Sequence, residues 1–218
     1  MNKLPAPIRL AGSQLRDVRH VCALFDGDDA EYRVLLPFIK DGLECGEKAI
    51  HVINPTQQQD HLNRLASAGI DPAAAQQSGQ LELRTNTDFY LQDGYFDQDR
   101  MLDVFEQFAR SRAKGSFPLS RICCRMDWVV EDPARVDQVI EYEARVNDVW
   151  RNHGDVVICT YHLGQFGAAA VIDILRTHPM VIVGGILHEN PFFVPPEEFL
   201  REFRQRRIDR STSSALAA

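Results

Sequence analysis

The chain has five cysteines in 218 residues and no C-x-x-C pair among them. An odd count without paired spacing speaks against a disulfide framework and against a thiolate zinc site. Four of the five, Cys22, Cys123, Cys124 and Cys159, lie in apolar, β-forming runs. A free thiol there behaves as a small hydrophobe, so buried, reduced cysteines are expected. No apolar run approaches membrane-spanning length, and Met1 to Leu10 lacks the apolar centre of a signal peptide. A cytoplasmic location and no membrane partner are the expectation. Positive charge is also scarce: 24 Lys and Arg against 31 Asp and Glu leave a formal charge of −7. That balance argues against direct nucleic-acid binding. The seven histidines show no H-E-x-x-H or comparable spacing, so neither a metal site nor a cofactor is expected. No G-x-S-x-G elbow or Ser/His/Asp order occurs, so no catalytic residue is assigned. A cysteine–histidine pair formed only in space stays open.

What is present is an ordinary soluble composition, 44% hydrophobic and 25% charged, which excludes wholesale disorder. The length suits one α/β domain with a sizeable core. The stretch from His20 to Asn54 organises it. HVCALF is an apolar run that stops at Asp26-Gly27, a buried strand ending in a turn. Asp28 and Glu31 have capping-box spacing, and Ala30, Val34, Leu35, Phe38 and Ile39 fall on one helical face. Gly42 and Gly46 end that helix, and Ala49 to Ile53 form a second strand, giving a right-handed β-α-β unit with parallel strands. A phosphate-binding loop would need G-x-x-x-x-G-K-S/T at the turn. Asp26, Asp28 and Asp29 stand there instead, and three carboxylates would repel a triphosphate.

Helices are expected at 56–68, after Asp97 (closing at Gly115), from Pro133 to Asn152, at 168–177 and at 197–208. Strands are expected at 81–85, 121–130, 155–161 and 180–187. Residues 1–17 read as a leader, 18–208 as one domain and 209–218 as a frayed tail. Strands alternating with helices imply a three-layer α/β/α domain with a mostly parallel sheet.

Several stretches, taken in order, carry a resemblance: His20, LLPFIKDGLECGEKAIHVI, SGQLEL, DGYFDQDRML, MDW, EYEARVN, VVICTYHLGQF, LRTHP and ENPFFVPPEEFL. Together, over about residues 18–203, they resemble the MEDS family of sensory domains, named after methanogens, methylotrophs and the dichloromethane-responsive regulator. The resemblance implies a RecA/KaiC-like fold without a working P-loop and a role in sensing small molecules, hydrocarbon derivatives among them. Its members sit beside DNA-binding or histidine-kinase-type output domains. No such domain is read here, so the expectation is a signal passed to a separate output protein of kinase or transcription-regulator type. One position departs from the family pattern: Arg125 stands where an acidic residue is usual.

In open α/β sheets ligands bind outside the carboxyl ends of the strands. The ligand-binding candidates there are Asp26, Asp127, Trp128, Tyr161, His162 and His188. Glu143 and Asn147 join them because both fall on the apolar stripe of the 133–152 helix, where a packing helix would carry apolar residues. Glu143 is either a satisfied buried charge, with a partner such as Arg125, or a polar determinant of a pocket. His178 at a helix end suits bonding to the last carbonyls. Arg201, Arg204, Arg206, Arg207 and Arg210 read as a solvated helix face. The expectation is a non-enzymatic sensory domain taking a small, partly apolar ligand at the sheet's carboxyl edge. A residual nucleotide-binding or ATPase module and a protein-interaction scaffold are the alternatives, and homo-oligomerisation is left open.

Overall fold

A computed structural model describes residues 8–112, 117–151 and 153–216. The first strands are β1 (Ile8–Leu10) and β2 (Ser13–Leu15), followed by β3 (His20–Phe25), α1 (Asp28–Glu44) and β4 (Lys48–Ile53). Then come α2 (Gln58–Ser67), α3 (Pro72–Gln77), β5 (Leu81–Thr85), α4 (Asn86–Phe89) and α5 (Gln98–Arg112). The chain continues through β6 (Ser120–Arg125), α6 (Pro133–Trp150), β7 (Val156–His162) and α7 (Ala168–Thr177). It ends with β8 (Met180–Val183), β9 (Ile186–Glu189) and α8 (Pro196–Leu216). The main sheet runs β5-β4-β6-β7-β3-β8-β9. Every pairing in it is parallel except β8 with β9.

Period-2 alternation divides the core between the two faces. On one side Cys22, Leu24, Ile122, Cys124, Val157, Cys159 and Tyr161 join residues of α5 to α8 in one cluster. On the other, Val21, Ala23, Phe25, Cys123, Val156 and Ile158 pack with α1, α2 and the β1–β2 hairpin. β3, β6 and β7 are buried at every residue, as strands covered on both faces should be. The three-layer expectation holds, and the four strand cysteines are buried free thiols.

Three expectations change. The leader is in part structure: β1 and β2 pair antiparallel around Ala11 and Gly12, both at positive φ, and Ile8, Leu10 and Leu15 are buried. Residues 1–7 lie outside the described part. The expected strand 180–187 is a hairpin folded at Gly184-Gly185, whose φ of 59° and 79° suit a tight two-residue turn. The expected frayed tail continues α8 to Leu216. That helix is tied down by its arginines: Arg204 and Arg207 reach Glu141, Arg206 reaches Asp173 and Arg210 reaches Asp137.

Candidate functional site

At the carboxyl end of β3 the chain turns through Gly27, whose φ of 101° is open to glycine but strained for other residues. Gly27 is the N-cap of α1, with no side-chain cap. The expected Asp28/Glu31 capping box does not form, because both carboxylates are drawn to Arg125. Strand alternation aims Arg125 at the α1 face from the end of β6, and its side chain is 3% exposed. It bonds Asp28, lies 3.1 Å from Glu31 and 2.9 Å from Asp127, and stands 2.9 Å from His162 Nε2. His162 closes the group, 2.9 Å from Glu31 and 3.3 Å from Asp127. Burial opposes a charge on His162, but the Glu31 hydrogen bond and the Asp127 charge win and raise its pKa. Burial also raises Asp127, against the pull of His162 and Arg125. The place where a phosphate would sit on the helix N-terminus is therefore filled by an internal ion cluster. Asp28, Glu31 and His162 have metal-like spacing, but the guanidinium already sits on all three.

Free space lies beside this cluster. A groove of ≈ 700 Å³ runs between α1, the end of β3 and the β8–β9 turn. Leu24, Phe25, Val34, Leu163 and Val183 line it, with Asp26 and Arg33 as its charged groups. Leu163 and Val183 are 42% and 49% exposed, so an apolar ligand there would remove already wetted apolar surface from water.

A second polar group lies inside the core, on the other face of the sheet. Glu143 is 1% exposed. Its Oε1 accepts the Tyr161 hydroxyl at 3.0 Å, and the Cys159 thiol points at Oε2 from 3.6 Å. His20 Nε2 and His178 Nε2 stand 3.2 Å and 3.4 Å from Oε2. Asn147 donates to the Glu143, Ala144 and Thr177 carbonyls, so its Oδ1 accepts from His20 Nδ1 at 3.0 Å. Burial alone would raise the Glu143 carboxyl, but His178 and His20 hold it ionised, well below the usual range. Beneath α1 runs a third chain, Tyr32 to His61 to His51, with both links at 2.8 Å; burial lowers the His61 pKa to about 4.

The profile of the family described as "MEDS: MEthanogen/methylotroph, DcmR Sensory domain" matches residues 19–179. The chain belongs to the MEDS family. By that family description it is a sensory domain. It is 25% identical over 183 residues to the transcriptional repressor DcmR of Methylorubrum extorquens. That alignment covers 81% of this chain and 64% of the repressor. The fold resembles the KaiC-like protein PH0186 of Pyrococcus horikoshii, with a TM-score of 0.53 and 15% identity. The likeness spans 75% of this chain and 69% of that protein. Among the described residues no helix is long and apolar enough to cross a membrane.

The residues singled out from sequence fall in five places. Asp26 lines the groove. Asp127 and His162 belong to the Arg125 cluster, although Asp127 does not close the strand as expected: β6 stops at Arg125 and Asp127 opens a 3-10 turn. Glu143, Asn147 and Tyr161 share the core cluster, whose partners are His20, Cys159 and His178 rather than Arg125. Arg125 lies across the sheet from Glu143, so strand alternation forbids that pair. Trp128 is core, stacked on Tyr90 at 4.8 Å and 1% exposed. His188 is a correction. It is exposed on the antiparallel β9 opposite Val181, away from the carboxyl edge, because the hairpin reverses the chain. Sequence reasoning left His20, Cys159 and His178 out of the candidate set because nothing local links positions 20, 143, 159 and 178.

Proposed function

We propose that the chain is a non-enzymatic small-molecule sensory domain of signal transduction or transcriptional regulation. Its ligand is small and partly apolar, and it binds in the groove at the carboxyl edge of the sheet. The observation that carries this reading is the Arg125 cluster, which occupies the phosphate position that a nucleotide-hydrolysing relative of this fold would need. With the turn acidic and its single buried guanidinium already paired with Asp28, Glu31 and Asp127, a triphosphate there meets carboxylate repulsion and a cation already taken. The apolar walls beside the cluster favour burial of a neutral molecule, with Asp26 and Arg33 available to orient a polar end. The DcmR likeness supports a regulatory output, with the signal passing to a protein of kinase or transcription-regulator type.

Phosphate release from ATP with magnesium is expected to stay at background for the whole chain. Turnover that Asp127→Asn abolished would replace the sensory reading with a variant ATPase.

A further inference from the structure

The core cluster has a geometry that its hydrogen bonds do not explain. Both imidazoles spend Nδ1–H on an oxygen: His20 on Asn147 Oδ1 and His178 on the Ile174 carbonyl at 2.8 Å. In their neutral forms both therefore turn an Nε2 lone pair toward the same carboxylate oxygen. His178 is 0% exposed, and its Nε2 has no hydrogen-bond partner; at 3.4 Å from Glu143 it is close but wrongly angled. One carboxylate balances only one imidazolium, so a network built for hydrogen bonding alone leaves at least one buried Nε2 lone pair against the anion.

We propose that His20 Nε2, His178 Nε2, Glu143 Oε2 and Cys159 Sγ form a closed site for a divalent transition-metal ion of the zinc type. The donor atoms lie within 4.8 Å of one another. Bonds of about 2.0 Å to N and O and about 2.3 Å to S place tetrahedral donors about 3.3–3.5 Å apart, so ligation asks for shifts of only a few tenths of an ångström at the separations seen here. The separations here are 3.2 Å and 3.4 Å for each imidazole to Glu143, with the sulfur 3.6 Å from Glu143 and 3.8 Å from His20. The outer partners are those a ligating histidine needs: a carbonyl or amide oxygen on Nδ1–H fixes the tautomer and orients the ring. Tyr161 likewise holds the second oxygen of Glu143. Nitrogen and sulfur donors disfavour magnesium and calcium, which take oxygen. On binding, the Cys159 thiol gives its proton to solvent. Thiolate and carboxylate then balance the dication, leaving a neutral site in the core. The donors come from β3, α6, β7 and the start of the α7–β8 connection, so the ion would tie four elements together. The groove shares none of these residues, so the two sites stand or fall separately.

The test refolds the whole chain with Co²⁺ in place of Zn²⁺ and measures metal content and the thiolate-to-cobalt charge-transfer band. One equivalent per chain with that band is expected. Cys159→Ser should remove the band, and Cys45→Ser, at an exposed thiol, should keep it. Glu143→Gln is the variant expected to fold, because its amide donates to the imidazole lone pairs while its oxygen still accepts from Tyr161. Its metal affinity should fall by more than the roughly 10–100-fold typical of losing an outer partner. A wild-type chain that stays empty after refolding with excess metal overturns the site. So does a band that survives Cys159→Ser or disappears with Cys45→Ser. Unchanged affinity in Glu143→Gln also overturns it, and decides the matter if Cys159→Ser does not fold.

Discussion

Replacing Arg125 by methionine is expected to lower the free energy of unfolding by about 3–5 kcal/mol. The guanidinium is the centre of the mouth cluster, and methionine fills most of its volume without its charge. Glu31 and Asp127 would then face each other, nine-tenths buried, with only His162 between them. Losing one partner of a buried ionic group costs more than the group contributes when intact, because the remaining charges stay desolvated. The deficit should depend on pH. Asp127 is already raised by burial, with His162 and then Arg125 opposing the rise; without Arg125 it rises further. A folded-state pKa above the unfolded value gives stability that is present at low pH and lost as pH climbs through the folded value. The gap between variant and wild type should therefore narrow toward pH ~4, near the ordinary aspartate range, and widen toward neutrality. In the wild type, the raised His162 gives stability fully present below pH ~6.5 and lost as pH rises through its folded value. Urea denaturation of both proteins across this range measures each claim. A variant as stable as the wild type at neutral pH would mean that the cluster is not closed around Arg125.

Trp128→Ala is the second large effect, expected at about 3–5 kcal/mol. Trp128 follows the strand end where a ligand-facing aromatic was anticipated, yet its ring stacks on Tyr90 at 4.8 Å and meets Phe96 at 5.4 Å. Truncation leaves a cavity among rigid aromatic neighbours that cannot collapse into it. The indole N–H has no partner, so Trp128→Phe removes an unsatisfied donor along with some volume and should cost less than half as much. Chemical denaturation of the two variants separates a packing role from a binding one. If Trp128→Ala kept its stability and lost only ligand binding, the residue would line a pocket after all.

The sequence made the central layers legible because β3, β5, β7, α6 and α7 each carry a full period of apolar residues with a clear cap or breaker. Asp132 caps α6 by accepting from the Ala134 amide, and Pro133 sits at the first helical position, the two roles that a D-P step suits. The β8–β9 hairpin was missed because Gly184-Gly185 sits inside an unbroken apolar run, and the run outweighed the turn signal. The β1–β2 hairpin has strands of three residues, too short for alternation to register. For the site, helical spacing placed Glu143 and Asn147 on the buried stripe, and both are buried. Their partners were not legible, since pairing across α6, β3 and β7 is set by strand order and not by local spacing. Arg125 appeared in the sequence as a departure from the family pattern. In the fold it is the residue on which Asp28, Glu31 and Asp127 converge.

The sensory reading is tested most directly by native mass spectrometry of the whole chain purified under non-denaturing conditions, alongside Leu163→Arg. Leu163 is exposed in the groove wall, so the substitution should leave the fold intact and place a charge where an apolar ligand would rest. A small organic molecule bound one to one in the wild type and lost in Leu163→Arg is the expected result. A bound nucleoside di- or triphosphate that survives Leu163→Arg would contradict it.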